Sequence, residues 1–99
     1  MTDQELLEII RGVVKVARPV SADEIVLDSL DVLLKDTGLD SLDFLMVGVF
    51  MSDIYGVSEE DIKTMEMNET STIRDMFKYM QEHATKQPAN VGEALASIQ

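Results

Sequence analysis

Apolar residues recur at helical spacing in three separate stretches of the chain, and polar caps or helix breakers divide them. Thr2-x-x-Glu5 has the form of a capping box. Leu6, Ile10, Val13, Val14 and Ala17 follow at three- and four-residue steps, which predicts a first helix from about Asp3 to Ala17, closed by Pro19. From Val20 to Leu39 no helical period is sustained. Ile25, Val26, Leu27, Leu30, Leu33 and Leu34 nevertheless make this stretch too apolar for a free linker, so it is expected to pack as a loop, with a short helical turn near Asp28 to Leu34. A second helix is expected to start at Asp40 or Ser41 and run to about Tyr55, where Gly56 is a natural C-cap. Ser58-x-x-Asp61 opens a short helix to about Met65, Asn68 to Ser71 is read as a polar turn, and Ile73, Met76, Phe77 and Met80 mark a last helix from about Thr72 to His83. The expected architecture is all-α: a four-helix bundle of three long helices and one short one, with a long first loop. It occupies residues 1–84, and residues 85–99 read as a flexible tail, in which Val91, Leu95 and Ile98 allow at most a marginal extra turn.

The second helix departs from ordinary amphipathic patterning. Leu42-Asp43-Phe44-Leu45-Met46-Val47-Gly48-Val49-Phe50-Met51 is apolar nearly all round, and a surface helix buries a stripe of its circumference only. Phe44 and Met46, with Val49 or Gly48, are therefore expected to leave an apolar strip in the open, unless the first loop or the tail covers it. A strip of that kind marks an interaction surface. Seven methionines, among them Met46, Met51, Met65, Met67, Met76 and Met80, are read chiefly as core filling that keeps the interior deformable.

Composition narrows the possibilities further. Ninety-nine residues bury one core, and there is no Cys for a disulfide or a thiolate metal site. No run reaches transmembrane length, and the acidic start Met1-Thr2-Asp3-Gln4-Glu5 is unlike a signal peptide, so the expectation is a monomeric cytoplasmic protein with no membrane insertion. The net charge of −11 is unevenly spread: residues 1–20 are neutral, residues 21–61 carry −10, and residues 62–99 carry −1. Such a field repels nucleic acid and favours basic patches on partner proteins.

The densest chemistry lies in Asp36-Thr37-Gly38-Leu39-Asp40-Ser41-Leu42-Asp43, where a glycine turn delivers a serine to the start of the second helix. Free N–H groups and the positive dipole end favour an anion there, so a phosphodiester on the Ser41 hydroxyl would meet a suitable field. Asp-Ser-Leu-Asp occurs twice, at Asp28 to Asp31 and at Asp40 to Asp43, and context separates the copies: Ser29 lacks the preceding glycine turn and the long following helix. A plain helix N-cap is the competing reading of Ser41. Asp36, Asp40 and Asp43 do not form an EF-hand loop, because Gly38 stands where a ligand is needed and Ser41 where the glycine belongs. His83, the only histidine, ends the last helix, and no Gly-x-Ser-x-Gly is present, so no catalytic triad is expected and the chain is not read as an enzyme.

Gly38, Asp40, Ser41 and Leu42 match the Gly-x-Asp-Ser-Leu core of the acyl carrier protein family, and over residues 3–84 the chain resembles that family in helix order as well. The resemblance implies that Ser41 is esterified by 4'-phosphopantetheine, derived from coenzyme A, whose terminal thiol holds acyl intermediates as thioesters. It implies that Asp40 helps a phosphopantetheinyl transferase hold Mg²⁺, that Leu42 belongs to the attachment site, and that acyl-loading and acyl-processing enzymes are the other partners. Partner recognition is expected from Asp36, Asp43, Phe44, Met46, Val49, Asp53, Glu59 and Glu60, with a groove between the second and third helices. The family's second helix usually carries more acids than Asp43 and Asp53, so partners with apolar as well as basic patches, in fatty-acid, lipid or polyketide synthesis, are expected. The alternative is an unmodified acidic helical adaptor for protein interactions.

Overall fold

A computed structural model describes residues 2–20, 22–65 and 70–98, with the side chain of Ala22 left out. Five α-helices lie among the described residues: α1 (Asp3–Ala17), α2 (Ser41–Tyr55), α3 (Glu59–Thr64), α4 (Ile73–Glu82) and α5 (Val91–Ala96). The protein is all-α. No helix among the described residues is long and apolar enough to cross a membrane.

Local chemistry sets most of the boundaries. Thr2 and Glu5 form the reciprocal capping box of α1, with the Glu5 N–H donating to the Thr2 hydroxyl at 3.2 Å. Arg18 ends the helix, and Pro19 has no N–H to continue it. Asp40 and Asp43 cap α2 in the same reciprocal way, and Gly56 closes it in the left-handed region at φ 64°. Thr72 and Asp75 do this for α4. At α3 the Ser58 hydroxyl accepts the Asp61 N–H, and the helix stops at Thr64, one residue short of the expected Met65.

One core runs through α1, α2 and α4. Ile9, Ile10 and Val13 of α1, Val47 and Met51 of α2, and Ile73, Met76 and Met80 of α4 are fully buried, joined by Tyr55 edge-on to Phe77 with ring centres 6.4 Å apart. Of the methionines weighed as core, Met51, Met76 and Met80 are buried, Met65 is half-buried and Met46 is exposed; Met67 lies outside the described residues, as do Asn68 and Glu69 of the expected polar turn.

The first loop differs from its expected form. Single 3₁₀ turns occupy Ala22–Glu24 and Leu34–Asp36, and the stretch from Asp28 to Leu33 is not helical. Two causes compete with a helix there. The Ser29 hydroxyl accepts the Asp31 N–H, and the loop carbonyls are used elsewhere: Leu30 O and Val32 O accept the N–H groups of Arg74 and Ile73 at the start of α4. Leu33 also pairs with Thr72 in a single antiparallel bridge.

The segment expected to trail as a tail carries α5. Ala94 is fully buried, with Val91, Leu95 and Ile98 packed half-buried against the core. The marginal turn foreseen at these residues is a helix because α1 supplies the apolar face that six residues lack by themselves.

Candidate functional site

Ser41 is the first residue of α2, immediately after the cap Asp40. Its side chain is exposed, and its hydroxyl makes no hydrogen bond among the described residues. The Asp40 carboxylate accepts the Asp43 N–H at 2.8 Å, and Asp40 O accepts the Phe44 N–H at 2.9 Å. The N–H groups of Ser41 and Leu42 keep no acceptor among the described residues, so two donors and the positive end of a fifteen-residue helix converge beside a free hydroxyl. This is the field in which a phosphodiester on that oxygen is favoured.

The approach to Ser41 is braced from inside. Gly38 has φ 90°, a conformation that side-chain-bearing residues rarely adopt, and it turns the chain from the first loop into the cap. Thr37 before it is fully buried. Its hydroxyl donates to Leu34 O at 2.7 Å and accepts the Leu39 N–H at 3.2 Å, while Thr37 O accepts the Val26 N–H at 2.8 Å. A loop residue with every polar group used fixes the position of the turn. Sequence reasoning missed Thr37, and a threonine before a turn glycine is too weak a signal by itself to have found it. Ser29, in the other Asp-Ser-Leu-Asp copy, lies in a bend, with its oxygen accepting the Asp31 N–H.

Beside Ser41 lies a largely apolar groove of about 310 Å³, lined by Ser41, Phe44, Leu45 and Gly48 of α2 and by Ile62 and Met65 at the end of α3. It occupies the place between the second and third helices where a groove was expected. Gly48 leaves its floor open, since a Cβ there would lie 3.9 Å from Met65 Cε. The outer end of α3 is tied to α4 through the Tyr79 hydroxyl, which donates to Asp61 O and lies 3.4 Å from the Thr64 hydroxyl.

Next to the groove, and sharing Leu45 with it, α2 carries the exposed apolar strip, with a different membership from the one expected. Leu42, Leu45, Met46 and Val49 are open to solvent, Leu42 with 67% of its surface, whereas Phe44 is half-buried in the groove and Gly48 is buried. The physical reason is the helical step: positions 42, 45, 46 and 49 share one side, and Phe44 and Gly48 turn toward the side that packs with Val47 and Met51.

The acidic residues divide into two groups. Asp36, Asp40, Asp53, Glu59 and Glu60 are exposed, and none is in an ion pair among the described residues. Asp43 is committed inside the protein: its carboxylate meets the Arg18 guanidinium at 2.9 Å with both side chains mostly covered, which ties the end of α1 to the start of α2. An acid so engaged contributes to the placement of Ser41 before it contributes to a partner's recognition.

No family model, no curated protein and no solved structure matches the chain.

Elsewhere the titratable groups serve the fold. Arg74 donates to both Asp3 and Asp31 at 2.9 Å and holds both carboxyls below the usual carboxylate range. Burial pushes the Tyr55 phenol up. His83 ends α4, with its ring stacked on Tyr79 at 4.2 Å and its Nδ1 at 3.0 Å from Tyr79 O. Among the described residues no three acidic or histidine side chains are gathered to hold a metal ion.

Proposed function

We propose that this protein is an acyl carrier, with Ser41 as the attachment point of a 4'-phosphopantetheine arm and with α1, α2, α3 and α4 as a carrier bundle of three long helices and one short one. The observation that carries the reading is the Ser41 hydroxyl at the start of α2, unengaged among the described residues, beside two N–H groups without an acceptor among them and an apolar groove. The residues present fit the group: the hydroxyl accepts a phosphoryl substituent without breaking an internal bond, and the helix end stabilises its charge. When bound, the arm supplies the thiol that a chain with no Cys lacks, and with it the capacity to hold an acyl chain as a thioester. Ser41 would anchor it, the N–H groups of Ser41 and Leu42 would be available to its phosphate, and the Asp40 oxygen not used in capping would be free to meet Mg²⁺ bound by the modifying transferase. Phe44, Leu45, Ile62 and Met65 offer an apolar lining to an acyl chain.

On this reading the chain is a substrate carrier and not an enzyme, a cytoplasmic monomer that visits acyl-loading and acyl-processing enzymes. Leu42, Leu45, Met46 and Val49 supply the apolar part of the docking face, and Asp36, Asp53, Glu59 and Glu60 supply charges for basic patches on partners. The same exposed strip favours the second reading, an unmodified acidic adaptor that binds a partner through α2 alone.

Incubation with coenzyme A, Mg²⁺ and a broad-specificity phosphopantetheinyl transferase separates the two. Intact-mass spectrometry is expected to show the addition of one phosphopantetheine, retained in Ser29→Ala and absent in Ser41→Ala. An unchanged mass of the parent protein favours the adaptor.

A further inference from the structure

Residues 85–98 are fastened to the rest of the molecule at two places of different kind. The first is polar. The N–H groups of Thr85 and Lys86 both donate to Tyr55 O, at 3.0 and 3.2 Å, and the Thr85 hydroxyl donates to Gly56 O at 2.6 Å, which caps the C-terminal end of α2. The second is apolar. Ala94 is fully buried, and Leu95 lies over Gly12 of α1 so closely that a Cβ on Gly12 would fall 2.8 Å from Leu95 Cδ1 and 3.2 Å from its Cγ. Gly12 is therefore a notch in α1, and Leu95 fills it.

Between the two fastenings, Gln87, Pro88 and Ala89 make no hydrogen bond among the described residues. The hydrogen bonds of α5 are all internal: Asn90 caps it through the Glu93 N–H at 2.8 Å, and the Ser97 hydroxyl donates to Glu93 O. No hydrogen bond or ion pair crosses from α5 to another element among the described residues. Six helical residues do not persist alone in water, so α5 exists only while its apolar side is seated on α1. The core formed by α1, α2 and α4 closes through buried side chains that do not depend on polar contacts with α5.

We propose that residues 87–98 form a detachable strap, hinged at Gln87 to Ala89 and latched by Leu95 in the Gly12 notch, and that its release precedes unfolding of the core of α1, α2 and α4. When the latch opens, Gly12 and Val16 of α1 lose their cover, while the Thr85 and Lys86 bonds to Tyr55 remain. The strap is independent of the carrier reading, because none of its contacts involves Ser41 or the groove.

Amide hydrogen exchange followed by NMR on the full chain tests it. The N–H groups of Ala94, Ser97 and Ile98, bonded within the strap, are expected to exchange at least about tenfold faster than those of Val13 and Val14. Gly12→Leu fills the notch and Leu95→Ala removes the latch. Each is expected to accelerate the strap amides by a further factor of about ten, with the α2 and α4 amides unchanged. Should Gly12→Leu fail to fold, Leu95→Ala decides alone. Strap amides that exchange in step with Val13, or that are unaffected in a folded variant, overturn the proposal.

Discussion

At the residue scale, the placement of Ser41 depends on its two predecessors in the turn. Gly38 holds φ 90°, yet a Cβ there would meet Glu24 O and Ile25 Cδ1 only at 3.6 Å, an ordinary contact distance. The glycine is needed for its backbone conformation and not for space. Gly38→Ala is therefore expected to lower stability by ~1–2 kcal/mol, the cost of a left-handed conformation for an L-residue, and urea denaturation checks it. Thr37 was not legible as a brace, because its role depends on Leu34 and Leu39 being brought within reach of one buried hydroxyl. Sequence alone shows a threonine beside a glycine. The position of Ser41 at the start of a long helix was legible, since the turn glycine, the acid cap and the long helix that distinguish it from Ser29 are all near neighbours in the chain.

At the element scale, α2 presents two problems with one solution. A helix that is apolar nearly all round has no face committed to solvent by its composition, so its rotation is set by neighbours and caps. Asp40 fixes its start, and the Arg18–Asp43 pair fixes its position against α1. The side that remains open carries Leu42, Leu45, Met46 and Val49. Asp40→Ala is expected to cost ~1 kcal/mol, as the loss of an N-cap does, and Met46→Gln on the open side is expected to stay within ~0.5 kcal/mol of the parent. Thermal or urea denaturation of the two variants side by side measures both. The start of α2 and its closure at Gly56 were legible because caps and terminators are local signals. Phe44 was placed on the open side because a run of consecutive apolar residues does not reveal which of them the partner helices cover.

At the scale of the whole molecule, Arg74 joins three distant parts of the chain by holding Asp3 at the start of α1 and Asp31 in the first loop to the first turn of α4. Both carboxyls ionise at lower pH in the folded protein than in the unfolded chain. They favour folding above the ordinary carboxylate range near pH 4, and that contribution disappears as pH falls through their lowered folded values. Arg74→Gln is expected to flatten the loss of stability below about pH 4 and to converge on the parent in stronger acid. Urea midpoints at neutral pH, pH 4 and pH 3 test this. These charges are exposed, so the effect is modest and weakens in salt.

The sequence by itself determined the helical class, the ends of α1, α2 and α4 to within a residue or so, and the placement of Ser41 at the start of α2. Each is a matter of periodicity, caps and turns acting over a few residues. Only the tertiary structure decided that Asp43 is taken by Arg18, that Leu45 and not Phe44 faces solvent, that the first loop spends its carbonyls on α4, and that α5 forms at all. Those outcomes depend on surfaces contributed by residues far apart in the chain, and a helix of six residues in particular has no stability to reveal until the face it covers exists.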